Sequence, residues 1–321
     1  MVSVLRRLVR TKIFTLIILL ILLTVVISIA SGGYFTSFSN IQKILDSMII
    51  PAMLTIGAGM LLISGNLDLS MGTVGTASGM MFAYLMEYSK LHWIPALIAT
   101  LAAAAVIGII NATLVNVMRF PAFIATLGMA SVTEGLSFLF TEGTTIPLWN
   151  PTVRFIGQGK IGNVVPFTII LLVVAFVVYG LILSKSKFGR QMYLTGGNPQ
   201  ATRLSGINPR RVSYILFINS SLLAAVAGMM LPARVASINA NGIKASQFTG
   251  VTAAILGGIS FGGGTGGMAG AFVGLLIFTA FSNGMVVLGI DMYYTQVIYG
   301  ALLLLALTFD YISNRKKNLS R

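Results

Sequence analysis

Hydrophobic runs of about 18 or more residues recur along the whole chain, and only short polar stretches separate them. Runs of that length are what an α-helix needs to cross a bilayer. The pattern predicts ten spans, at roughly 13–30, 47–64, 70–87, 93–117, 121–140, 165–183, 212–231, 248–260, 267–288 and 293–310. The eighth is short for a crossing of about 20 residues, so it reads as a broken or re-entrant helix ending in the glycine run. The first apolar run follows Arg6, Arg7, Arg10 and Lys12 and exceeds the usual signal-peptide core of about 7–15 residues, which predicts an uncleaved first span. No polar segment is long enough for a separate soluble domain. Residues 1–321 therefore read as one polytopic transmembrane domain: an all-α integral membrane protein of about ten helices, broken near 64–70 and 257–267.

The break at 64–74, SGNLDLSMGTV, carries the most chemistry. It sets a Gly65-Asn66 turn and a carboxylate, Asp68, between two runs that each enter the bilayer. Irregular polar backbone at that depth is tolerated only where protein or a water-filled cavity satisfies it. Asp68 or Ser70 is expected to cap the following helix, where a carboxylate also meets the positive end of the helix dipole. The motif Gly65, Asp68, Ser70, Gly72 thus positions a helix, forms part of a gate, or does both. Gly72, Gly75 and Gly79, and again Gly266, Gly270 and Gly274, form stripes that allow close helix packing.

Composition agrees with the pattern. Residues are 56% hydrophobic and 9% charged, against about 25% charged in soluble domains, and mean hydropathy is +0.92. The net charge of +14 sits in clusters beside the apolar runs, which argues for the positive-inside rule rather than nucleic acid. Cysteine is absent, excluding disulfides and thiolate sites. No metal-ligand spacing and no nucleophile–base pair is found, His92 reads as a surface residue, and no cofactor is implied. The run GGGTGG at 262–267 lacks the lysine of a nucleotide-binding loop.

The clusters also orient the chain. An even span count with the N-terminus inside places Arg119, the group Lys185, Lys187, Arg190, Arg203, Arg210, Arg211, and the tail Arg315, Lys316, Lys317, Arg321 in the cytoplasm. Lys43, Lys90, Arg154, Lys160, Arg234 and Lys244 fall outside. Both termini are then cytoplasmic. The outward loop 141–164 carries Pro147, Trp149 and Pro151 and is suited to touching something outside. The inward loop 184–212 holds six of the basic residues and no acid, and TGGNPQATRLSGINPRRV within it is strongly punctuated. Gly196-Gly197 is expected to turn, Asn198 to cap, Pro199 to open a short helix and Gly206 to stop it. Asn208-Pro209 repeats the device. So short a helix is unstable alone in water; presenting Ala201, Leu204 and Ile207 among cations, it is expected to pack on something.

GGNPQATRLSGIN resembles the cytoplasmic loop of ribose-type (monosaccharide) ABC importer permeases. GNLDLSMGTV, AAILGGISFGGGTGGMAGAFVGLLI and YYTQVIYGALLLLAL resemble further segments of that family in the same order, over most of the chain. Asn66-Leu67 and Phe261-Gly262 depart from its usual residues. The resemblance implies a non-catalytic bacterial inner-membrane subunit, paired with a like or homologous permease and fed a small sugar by an extracytoplasmic binding protein. It also implies a separate ATPase, gripped through Asn198, Pro199, Ala201, Arg203, Leu204, Gly206 and Ile207.

Among polar residues inside spans, Glu134 is the clearest ionisable group, expected either to serve function or to be bonded to a neighbouring helix. Asn111, Asn219 and Asn283 join it as translocation-path candidates, each also readable as an interhelical hydrogen-bond partner. Few charges and many amides suit an uncharged polyhydroxyl solute. A self-sufficient secondary transporter or channel remains the alternative, although that class carries more ionisable residues in its spans.

Overall fold

The computed structural model describes residues 12–291 together with 294, 297, 298, 300, 301, 304 and 308. The expected span at 293–310 falls largely outside these residues, and Arg6, Arg7, Arg10 and the basic tail from Arg315 fall outside them entirely. The chain folds as α1 (Lys12–Ala30), α2 (Phe38–Ser47), α3 (Ile49–Ile63), α4 (Met71–Glu87), α5 (Trp93–Asn116), α6 (Ala122–Thr141) and α7 (Pro151–Gln158). It continues with α8 (Phe167–Lys185), α9 (Lys187–Gly197), α10 (Pro199–Leu204), α11 (Pro209–Val235), α12 (Ser246–Leu256) and α13 (Met268–Val287). Four two-residue strands pair antiparallel: β1 (Ile146–Pro147) with β4 (Ser237–Ile238), and β2 (Lys160–Ile161) with β3 (Val165–Pro166).

Among the described residues six helices, α1, α5, α6, α8, α11 and α13, are long and apolar enough to cross a membrane. A seventh is reached if α2 and α3, bent by 46°, form one span. The expected count of about ten is thus supported only to six or seven. Of the other expected spans, α4 has 17 residues and α12 has 11, short of the about 20 residues of a full crossing, and 293–310 falls largely outside the described residues.

All but one residue of α3 is buried, and α11 packs along it and along α4 and α5. Outer faces are apolar, with Ile29 and Leu139 each 78% exposed, as lipid contact requires. Glycine lets the central helices touch backbone to backbone: a Cβ on Gly228 would stand on the Gly75 carbonyl. The glycine run 257–267 breaks the chain between α12 and α13, as expected, with Gly258, Gly263, Gly264 and Gly266 at positive φ.

One end of the bundle carries α9 and α10, and the other carries α7 and the strands. α4 starts between these ends. The residue just before it, Ser70, hydrogen-bonds Asp68, whose other oxygen reaches Ser220; Ser220 lies about 17 Å along α11 from its start. The chain reaches that depth from Ile63 through 64–70. From the opposite end, residues 236–245 descend along α4. Ile238 lies against Gly79, Ile243 against Gly75, and the Lys244 carbonyl against Gly72. α12 then completes the crossing. Two discontinuous segments therefore meet at mid-depth beside Gly72.

Candidate functional site

Asp68 is 1% exposed and forms a clasp. Its Oδ1 accepts from the Ser70 amide at 2.8 Å and the Ser70 hydroxyl at 2.5 Å, and its Oδ2 accepts from Ser220 Oγ at 3.0 Å. Asn111 Nδ2 donates to Ser70 Oγ at 3.0 Å, and the Leu69 amide donates to Thr126 Oγ1 at 3.0 Å. The break in the helix is thereby tied to α5, α6 and α11. Of the two expected caps, Asp68 accepts a backbone amide where α4 begins. Ser70 holds the N-cap position but makes no side-chain cap bond, because its hydroxyl and amide both face Asp68. Gly65, at φ +80°, sits beside Gly196.

The four path candidates separate in space. Asn111 is buried in the clasp. Asn219 accepts from Tyr179 at 2.6 Å inside the bundle. Asn283 accepts from Asn40 at 2.9 Å, late in α13. Glu134 is ion-paired with Lys244, and the two side chains are 29% and 44% exposed. Lys244, expected on the outer side, lies in a loop that folds inward, with its carbonyl against Gly72.

At the opposite pole the punctuation of 195–212 takes the expected form from Asn198 onward. Asn198 Oδ1 accepts from the Gln200 and Ala201 amides, both at 3.0 Å. Gly206 turns the chain at φ +78°, and Asn208 caps α11 through Arg210 and Arg211. Leu204 is 91% exposed, Ala201 and Arg203 are exposed, and Ile207 packs back on the core. The expected Gly196-Gly197 turn is instead the last turn of α9. The reason is a close approach: a Cβ on Gly196 would overlap the Ile63 carbonyl, which accepts from the Gly264 amide at 2.8 Å. α9 therefore touches both discontinuities, at 63–65 and at 263–264. Tyr193 adds a bond to the Gly266 carbonyl at 2.7 Å, and burial pushes its hydroxyl pKa up from the ordinary value, keeping it a donor.

At the α7 end Arg234 pairs with Asp46 at 2.6 Å, and Thr168 donates to the same carboxylate. The Trp149 amide donates to Glu87 at 2.6 Å, leaving the ring 63% exposed. Asp46, Tyr193 and the pairing of Lys244 with Glu134 were not legible in the sequence. The paired residues lie 188, 73 and 110 positions apart, and no local pattern marks such pairs. Among the described residues no group of acidic, histidine or cysteine side chains could hold a metal ion.

A helical bundle in which two discontinuous segments meet at mid-depth has the build of a membrane transport protein. Residues 40–307 match the family described as branched-chain amino acid transport system / permease component, and the chain belongs to that family. It is similar to the ribose import permease protein RbsC of Bacillus subtilis, 31% identical over 93% of this chain and 91% of that one. The fructose import permease protein FrcC of Rhizobium meliloti is 30% identical over 87% of this chain and 79% of its own. The xylose transport system permease protein XylH of Haemophilus influenzae is 28% identical over 96% and 98%. The likeness to sugar ABC importer permeases drawn from the motifs is borne out. No solved structure matches the chain.

Proposed function

We propose that this chain, as a single domain over 1–321, is the permease subunit of an ATP-driven importer for a small sugar in a bacterial inner membrane. A separate ATPase supplies the hydrolysis, an outside binding protein delivers the sugar, and a second like or homologous permease completes the pathway. D-ribose, D-xylose and D-fructose are the first solutes to try, since they are named for the relatives. The observation that carries the reading is the match to sugar import permeases along nearly the whole chain.

The geometry supports a route for coupling. α10, with Arg203 and the exposed Leu204, is the knob the ATPase grips, and its end is the cytoplasmic one, with both termini on that side. A shift of α10 moves α9, to which it is joined through Asn198. α9 cannot move without pressing on Ile63, Gly65 and Gly264, because Gly196 leaves no slack there. Ile63 and Gly65 lead into the segment 64–70, and Gly264 lies in the glycine run that follows α12, so rigid-body motion reaches the solute path through packed backbone. The Asp68 clasp keeps the start of α4 bound to α5, α6 and α11 while this happens.

Reconstitution in liposomes with the ATPase and the binding protein tests the assignment. Uptake that requires ATP and the binding protein is expected. Uptake by the isolated chain under an ion gradient would instead make it a secondary transporter.

A further inference from the structure

Glu134 lies about 18 Å along α6 from its start and about 10 Å from its end. Its neighbour Thr133 hydrogen-bonds Thr73, in the first turn of α4, at 2.8 Å. Lys244 stands against Gly72, one position earlier in the same turn. The ion pair therefore sits at the depth where both discontinuous segments meet. Protein does not seal it, since the side chains are 29% and 44% exposed. A charge turned to lipid at the middle of a bilayer costs about 2.5–3.5 kcal/mol, so a face carrying two of them does not face acyl chains. Polar surface adjoins the pair: Ser131 and Gly135 flank Glu134 on α6 and are exposed, Asn241 is exposed, and Ser246 is partly so. α6 also exposes Leu127, Val132, Leu136 and Phe138, as α1 and α8 expose isoleucine, leucine and valine.

We propose that Glu134 and Lys244 line the water-filled solute path and bind hydroxyl groups of the passing solute, the carboxylate accepting from one hydroxyl and the ammonium donating to its neighbour. Resting on the permease reading above, the proposal assigns Lys244 as a specificity-determining residue. The chemical fit is to a neutral polyol. Each charged partner makes a stronger hydrogen bond than a neutral group would, while the pair as a whole carries no net charge to hold an ion. The hydroxyls exchange one set of bonds for another as the solute leaves, which suits passage better than tight binding.

The chain contains no cysteine, so Lys244→Cys and Glu134→Cys each introduce its sole thiol. In the reconstituted complex, a membrane-impermeant methanethiosulfonate should label both, and the sugar among ribose, xylose and fructose that the complex transports should slow labelling at least threefold. Ser131→Cys, which leaves the ion pair intact, should behave in the same way and guards against misfolding of the other two. Absence of labelling at all three positions overturns the path assignment, and labelling that no transported sugar slows overturns solute contact. A charge-swapped double variant, Glu134→Lys with Lys244→Glu, should raise the KM for uptake at least tenfold. An unchanged KM would mean the pair merely holds α6 to the 236–245 segment, and the proposal would fail. ATP-dependent uptake by the wild-type complex is scored separately, so loss of the permease reading is distinguishable from loss of this one.

Discussion

Replacing Asp68 with alanine removes the acceptor for three donors at once, the Ser70 amide, the Ser70 hydroxyl and the Ser220 hydroxyl. Side-chain hydrogen bonds inside membrane proteins average about 0.6 kcal/mol and reach about 1.7 kcal/mol. Three such bonds set the expected loss at about 2 kcal/mol, with about 5 kcal/mol as a ceiling. The Ser70 amide is the most costly to strand, because a buried backbone N–H has few other partners. Asp68→Asn is the informative companion. Its Oδ1 still accepts from the Ser70 amide, and its amide nitrogen can donate to Ser220 once that hydroxyl rotates, so only about 1 kcal/mol should be lost. Reversible unfolding of the chain in mixed micelles, titrated with a denaturing detergent, reads both values. An alanine variant within about 0.5 kcal/mol of wild type, or an asparagine variant as weak as the alanine one, would refute the clasp as the element holding α4 in place.

Gly206→Val forces a β-branched residue into φ +78° with open space around it, so only backbone strain of about 1–2 kcal/mol acts. Membrane insertion should survive and sugar-stimulated ATP turnover should be lost; unchanged stimulation would count against α10 as the coupling element. Leu204→Asp, at a 91% exposed position, should change stability by less than about 0.5 kcal/mol yet cut that stimulation at least tenfold, read by phosphate release. Gly228→Val drives a side chain into the Gly75 backbone and should destabilise by about 1–3 kcal/mol or more, seen as a lower melting temperature in detergent.

What the sequence made legible was local. Asn198, Pro199 and Gly206 could be placed correctly because a cap and a left-handed stop act within four residues of themselves. The breaks near 64–70 and 257–267 were legible because glycine and aspartate interrupt apolar runs. The descent of 236–245 was not, since it depends on Gly72, Gly75 and Gly79 opening a groove on a helix some 165 residues earlier. Lys244 therefore read as an outer-loop cation. The Gly196-Gly197 pair misled for a related reason: two glycines commonly signal a turn, but here they let α9 end directly against the Ile63 carbonyl. Run length alone did not show that α4 and α12 are too short for a full crossing, with 17 and 11 residues.

If force enters through α10, a photo-crosslinking amino acid at position 204 sits where the ATPase grips. Compared with the same probe at position 149, on the opposite end, it should trap a subunit that photo-labels with ATP, and the probe at 149 should not. Trapping of the ATP-labelled subunit from 149 and not from 204 would rule out α10 as the point where force enters.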